Sequence, residues 1–410
     1  MKQNIGNVQA VVAGHICLDI TPGFPSGEKQ ELREILSPGK LTNVSGVKLS
    51  TGGAVSNTGI ALSILGVDTQ IMGKIGKDPF GEIILKILKE RSADKAMTVL
   101  EGAQTSYTVV IVPAGTDRIF LHDPAANDTF SADDINYQLV GQARLFHFGY
   151  PPAMRKMYEN GGEELVEMFK KVKALGVTTS LDMCLPDPGS ASGKVDWESL
   201  LADLLPYVDI FVPSIEETLY MLHRDEYIRL NGLATGRDIL EVMDMNVLQE
   251  LGNKVLSLGA RIMTIKCGKK GYYVRTQGRE ALAGMGRGAP ADIGNWSGRE
   301  LLEEVYRVPK VVSTTGAGDT SIAGFLAAIL KGCTIEDALR IACGTGAECV
   351  QTYDALSGIK SLEETVSLIR KGWKKERLSI EGGYWRYDEG GQVWYGNNDT
   401  RPNSTIIFIK

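Results

Sequence analysis

Short β-branched or apolar runs alternate along this chain with stretches of helical periodicity, and that alternation narrows the fold more than any other feature. Residues 8–18 read as a buried strand, 54–65 as a helix, 69–75 as a strand and 79–91 as a helix. Further strand-like runs lie at 106–112, 145–149, 177–181, 209–212, 261–266 and 308–312, with helical patterns at 163–175, 197–207 and 320–330. Such an order predicts an α/β fold, a mostly parallel sheet covered by helices. Ligands of these sheets bind beyond the carboxyl ends of the strands.

One of those ends carries Ser313-Thr314-Thr315-Gly316-Ala317-Gly318-Asp319. The segment reads as strand, glycine turn and helix N-terminus. Such a turn aims several backbone N–H groups at one point, and the helix dipole favours an anion there. A carboxylate beside an anion site is unfavourable unless it takes a proton from an incoming nucleophile. The combination points to phosphoryl transfer onto a hydroxyl. A second segment, Thr51-Gly52-Gly53-Ala54-Val55-Ser56-Asn57, leads into a helix. Either its glycines let the backbone approach a ligand that Asn57 hydrogen-bonds, or it is a plain turn into a helix. Asp19 ends the first predicted strand. It either binds vicinal sugar hydroxyls or forms a turn before Thr21-Pro22.

The 410 residues are 43% hydrophobic, enough for a sizeable core. The net charge is −6 (44 basic against 50 acidic side chains), without a long basic run, which argues against nucleic acid as a partner. No apolar stretch reaches about 18 residues, so no membrane span is expected. The first residues do not read as a signal peptide. Six scattered cysteines without a Cys-x-x-Cys pair, and only four histidines, argue against a disulfide framework or structural zinc and for a reducing cytoplasm.

Taken together, Gly52-Gly53 with Asn57 and Thr315-Gly316-Ala317-Gly318-Asp319, in that order and spacing, resemble the ribokinase-like (phosphofructokinase-B type) carbohydrate kinases over most of residues 8–371. No Walker-type Gly-Lys-Ser/Thr and no protein-kinase motif competes with them. The resemblance implies a three-layer α/β/α core with a small β lid. It implies ATP-dependent phosphorylation of a small sugar or polyol, with Asp319 as general base and the amides of Gly316, Ala317 and Gly318 as anion hole. Asp19, Gly52, Gly53 and Asn57 would hold the sugar. Segments 21–50 and 106–122 would form the lid, which excludes water and is often the dimer surface.

For the nucleotide, the resemblance points to Thr264, Gly268, Gly271 and Thr315, with Gly344, Gly346 and Ala347 near adenine; Gly268 and Gly271 are equally a β-hairpin turn. Glu217 matches the family's glutamate that orders magnesium water, but Ser214 replaces its usual Asn. Asp182 matches an Asp-x-Asn-x-Arg segment, whereas Cys184 and Pro186 do not, so the phosphate-facing Arg is absent. Arg118 or Lys266 would have to supply that charge. Ser313 stands where many relatives begin a potassium loop with Asp, which leaves a monovalent cation open.

The departures keep two other readings in play. One is a nucleoside or modified-sugar kinase, with Tyr107, Phe120 and His122 as stacking partners. The other is a sugar-binding regulator without turnover. Residues 281–298, rich in glycine, read as a surface insertion, and 372–410 as a C-terminal extension that adds short strands or an arm.

Overall fold

The computed structural model describes residues 8–24, 35, 37–91, 93–94, 96–112 and 119–400. Strands β1 (Ala10–Gly14), β2 (Cys17–Pro22) and β3 (Val47–Gly52) come first. They are followed by β4 (Thr69–Met72), β5 (Lys74–Gly76), β6 (Thr98–Leu100), β7 (Tyr107–Ile111) and β8 (Ile119–Asp123). Next come β9 (Leu145–Gly149), β10 (Thr178–Asp182), β11 (Ile210–Phe211) and β12 (Ile262–Lys266). The last are β13 (Tyr272–Thr276), β14 (Glu300–Glu303), β15 (Trp385–Asp388) and β16 (Val393–Gly396). The main sheet runs β15-β16-β14-β13-β12-β11-β10-β9-β1-β4. It is parallel from β4 to β12 and antiparallel from β12 to its β15 edge.

Alternation along β1 explains the layers. Val11 and Ala13 point into one apolar cluster, with Leu165, Met168 and Phe169 of α2 (Glu163–Ala174), while Ala10 and Val12 point into another. That second cluster is closed by α1 (Ala54–Ile64), α4 (Ala317–Leu330) and α5 (Ile335–Cys349); α3 (Ile215–Leu222) lies with the first. Burial on both faces is what near-continuous apolar strands require. The result is the expected three-layer α/β/α core.

A separate sheet, β3-β2-β7-β8, takes β3, β7 and β8 largely from the two segments expected to form the lid, whereas most of β2 (Cys17–Pro22) lies outside them. The long strand expected over 8–18 divides between the two sheets. His15 still bonds through its N–H to Gly149 O at 3.2 Å, whereas Leu18 bonds to Ser106 O at 3.0 Å. Both halves are buried, so hydrophobicity does not register the change of partner. The strand expected over 69–75 divides likewise, β4 pairing with β1 and β5 with β6.

Two further expectations change, and the one for the tail holds. Residues 308–312 form no strand: Pro309 has no N–H to donate, Val311 is 56% exposed, and Val312 donates to Val350 O at 2.7 Å. Residues 281–298 are not a surface appendage. Leu282, Met285 and Trp296 are buried, and the Arg287 guanidinium donates to the carbonyls of Gly141, Ala143 and Leu175 at 2.7–3.1 Å. The tail supplies β15 and β16, and its aromatics pack on the body: Trp394 Nε1 donates to Glu304 at 3.0 Å and Tyr384 OH to Glu300 at 2.6 Å.

Candidate active site

The site forms where α1 and α4 meet the carboxyl ends of β9, β10 and β12. Gly316 caps α4 with φ of 74°, a left-handed conformation that a side chain disfavours, and a Cβ there would overlap Ala355. The turn brings Asp319 into the first helical turn, almost fully buried. First-turn amides have no intrahelical acceptor. That leaves the N–H groups of Gly318 and Asp319 at the open end of α4. The Ala317 amide is turned back to Thr314 O at 3.3 Å, so the turn itself uses one of the amides expected for the anion hole. Thr315 is fixed by Ser313, whose Oγ accepts from the Thr315 N–H and donates to its hydroxyl, both at 3.1 Å. This is what Ser313 does in place of a cation-loop aspartate.

The Asp319 carboxylate is held from three sides. Asn57 Nδ2 donates to Oδ2 at 3.0 Å, Thr58 Oγ1 to Oδ1 at 3.4 Å, and Tyr150 OH to Oδ1 at 2.8 Å. Asn57, expected on the sugar, thus gives its amide to Asp319. Burial raises the Asp319 pKa; the Asn57 bond, the Lys266 charge and the Tyr150 and Thr58 bonds offset part of that rise. Tyr150 escaped the sequence reading. It follows β9 at the sheet's carboxyl edge and has φ of 70°, a backbone state unusual outside glycine. Its position after a strand was the available signal; its contact with Asp319, 169 positions away, was not.

Asp19 lies within β2, not at a strand's end, opposite Ser50 and Thr108. Its carboxylate sits over Gly52, where any Cβ would overlap it, and Gly53 leaves the same room for the His15 ring and carbonyl. Both glycines are therefore close-approach positions. Burial, with the nearby Asp319 charge, raises the Asp19 pKa from 3.8 to about 6 against the opposing bonds from Cys17 and Thr108. The folded state then holds this proton more tightly than the unfolded chain between about pH 4 and 6. Stability falls as pH rises through that window, and ionised Asp19 is a cost at neutral pH. Asp19→Asn is expected to raise the melting temperature at pH 7.5, by removing a cost on the order of 3 kcal/mol, and to lose the gain below about pH 4. Thermal melts at both pH values check this.

Lys266, at the end of β12, lies against the anion turn: a Cβ placed on Gly318 would stand 3.3 Å from its Cδ and 3.9 Å from Nζ. Its Nζ bonds Asp182 Oδ1 at 2.6 Å and stands 3.9 Å from Glu217. Burial opposes the ammonium charge, but Asp182 and Glu217 outweigh it and raise the Lys266 pKa. Arg118, the other candidate cation, lies outside the described residues. Glu217 closes a capping box at α3: its Oε2 accepts from Ser214 N–H at 2.6 Å while Ser214 Oγ accepts from Glu217 N–H at 3.3 Å. Ser214 is thus a helix cap.

The nucleotide candidates separate. Gly268 and Gly271 form the turn of the β12–β13 hairpin, and Gly271 packs so tightly on the Glu303 carbonyl that a Cβ would overlap it. Thr264 is fully buried with its hydroxyl on Tyr272 at 3.1 Å, so that side chain faces the core. Gly346 lies on α5 beside the start of α4, where a Cβ would be 3.6 Å from Ala317 O, and Gly344 packs on Thr365. Of the aromatics weighed for a nucleoside, Tyr107 packs edge-on against Phe80 at 5.6 Å, and His122 stands against His15.

Residues 16–362 match the family model described as pfkB family carbohydrate kinase. An uncharacterized sugar kinase of Archaeoglobus fulgidus is 25% identical over 303 residues, 73% of this chain and 98% of that protein. Among solved structures, Arabidopsis thaliana ribokinase complexed with ribose and ATP matches with a TM-score of 0.63 at 20% identity, covering 88% of this chain and 98% of that one. A fructokinase with bound ATP from Xylella fastidiosa gives 0.63 at 19%, covering 90% and 100%. With the family model spanning most of the chain, and the helix that follows the glycine pair bonded through Asn57 to Asp319 of the Gly316–Asp319 turn, this protein belongs to the pfkB family of carbohydrate kinases.

Proposed function

We propose that the chain is an ATP-dependent kinase that phosphorylates a hydroxyl of a small sugar or polyol, with Asp319 as the general base. The observation that carries this reading is the buried Asp319 carboxylate at the N-terminus of α4, aligned by Asn57, Thr58 and Tyr150. Donors on both carboxylate oxygens fix its orientation for proton abstraction. The amides of Gly318 and Asp319, with Lys266 beside them, suit charge on a transferring phosphoryl group. Asp19, Gly52 and Gly53 are proposed to line the acceptor end. The sugar kinase, ribokinase and fructokinase among its relatives support that substrate class.

Magnesium fits the residues present. Asp182, Glu217 and Asp319 place three carboxylates around the single ammonium of Lys266, and Asp182 Oδ2 is buried without a partner. When bound, the ion would screen the phosphates of ATP, and Glu217 and Asp182 would hold it through water. The six cysteines are all free thiols, which supports a reducing cytoplasm as its setting.

The test is ADP release with magnesium and ATP across a panel of sugars, polyols and nucleosides. A sugar or polyol is expected to give turnover. Ligand-dependent stabilisation without ADP from any acceptor would instead support the regulator reading. The alignment of Asp319 yields a finer expectation. Tyr150→Phe removes a donor that lowers the Asp319 pKa, so the acidic limb of the kcat/KM profile should move up by about one pH unit. An unmoved limb would separate Tyr150 from the base.

We also infer a homodimer through the lid. Leu49, Ile20, Val109 and Leu121 lie in register across β3, β2, β7 and β8, forming an apolar row on the face opposite Asp19. Leu49 and Leu121 are exposed, with Val47 beside them. Contiguous exposed apolar surface marks an association site. Sedimentation equilibrium should give a dimer for the natural chain and a monomer for Leu121→Lys.

A further inference from the structure

The acceptor end of the pocket holds a second group of side chains that the phosphoryl-transfer reading does not use. His15 follows β1, Cys17 lies on β2 and His122 on β8. The lid's pairing brings them together: Asp19 opposes Thr108, and Thr108 opposes His122, so Cys17, Asp19, Thr108 and His122 share the inner face of the lid. His15 reaches that face from the body. Its Nε2 is 3.2 Å from His122 Nε2. Thr108 Oγ1 lies 3.4 Å from Cys17 Sγ and 3.0 Å from His122 Nδ1. One ligand atom from each of His15, Cys17 and His122 lies within 4.8 Å of the other two. Two imidazoles and a thiol are the donor set of a zinc-class ion, and ligand nitrogens about 2.0–2.1 Å from such an ion stand at roughly the His15–His122 separation.

We propose that His15, Cys17 and His122 form a binding site for a zinc-class divalent cation, and that the bound ion clamps lid to body and keeps the acceptor from Asp19. The second part rests on the proposed acceptor site; the first does not. Each imidazole presents its Nε2 to the shared space between body and lid. A thiol ligates such an ion as thiolate, so binding breaks the Cys17 S–H bond, forms the sulfur–metal bond and releases one proton to solvent. Two histidines and one thiolate would leave a fourth position open to water or another ligand. The site is distinct from the Asp182–Glu217 carboxylates, which offer hard oxygen donors and suit magnesium.

Cobalt(II) titration of the purified full chain tests the site without requiring turnover. A one-equivalent endpoint is expected, with intense visible bands of tetrahedral cobalt and a thiolate charge-transfer band, both displaced by zinc. Cys17→Ser should abolish the charge-transfer band, and His122→Ala, at an exposed lid position, should weaken cobalt binding more than about tenfold. Far-UV circular dichroism checks that each variant is folded. If Cys17→Ser does not fold, His122→Ala alone decides. Absence of the bands, or bands unchanged in the folded variants, would overturn the site. In the ADP-release assay, zinc at fixed magnesium and ATP should raise the apparent KM for the acceptor, reversed by chelator. Cobalt bands with an unchanged acceptor KM would leave the site standing and overturn the clamp. A chain that shows the cobalt bands but no turnover would count against the kinase reading and not against the site.

Discussion

Asp319→Asn should lower kcat for sugar phosphorylation by about 10²–10⁴-fold, the usual consequence of losing a general base, while leaving nucleotide binding within a few-fold. The asparagine keeps the shape of the side chain and can still accept from Tyr150 and Thr58. It cannot take the proton of the acceptor hydroxyl. The substitution also removes a buried carboxylate whose pKa is raised by desolvation. Burial disfavours the ionised form of that carboxylate in the folded state, so the variant should melt at an equal or higher temperature. Loss of turnover together with retained stability separates a chemical role from a packing role. Initial-rate ADP release and a thermal melt on the same preparation measure both. A variant within tenfold of the natural enzyme would remove Asp319 from the proposed chemistry.

The sequence made the two ends of this site legible and hid their connection. The turn from Gly316 to Asp319 and the pair Gly52-Gly53 are local signals, because a helix N-terminus and a close backbone approach each need particular residues at fixed spacing. What Asn57 does is a long-range fact. It was expected on the sugar and bonds a carboxylate 262 positions away. Tyr150 likewise matters only through its distant partner. Strand positions in the parallel core were readable from apolar runs: residues 145–149 were expected as a strand and β9 is Leu145–Gly149. The residue-8 strand failed at its far end because Cys17 and Leu18, which begin β2, are as buried as β1 but belong to a different sheet. The run at 308–312 failed the other way. Its valines have strand propensity, but no neighbour supplies a ladder, and propensity yields to context. Thr264 shows the same limit for function, since a family spacing cannot tell a side chain facing a ligand from one facing the core.

Lys266→Met should reduce kcat by about 10²–10³-fold, the range for loss of a preorganised electrostatic donor, with little change in acceptor KM. The reasoning starts from the missing arginine. Asp182 is followed by Cys184 and Pro186, so β10 delivers no cation to the phosphate side. The Lys266 stem crosses Gly318, which places its ammonium beside the open amides of α4. An ammonium is a point charge and tolerates more positions than a guanidinium fork, so a lysine entering from β12 can do this work. A structural objection must be met, because Lys266 also pairs with buried Asp182 at 2.6 Å. Removing one partner of a buried pair leaves an uncompensated charge and typically costs about 3–5 kcal/mol. Lys266→Met alone could therefore lose activity by unfolding. The double variant Lys266→Met, Asp182→Asn removes both charges and should recover most of the stability in denaturant titrations. Its kcat should stay low and fall below that of Asp182→Asn alone, which measures what loss of the proposed magnesium-side carboxylate costs, since the cation facing the phosphoryl group is still gone. Recovery of turnover along with stability would reduce Lys266 to a counter-ion for Asp182 and return the phosphate-side charge to a residue elsewhere in the chain.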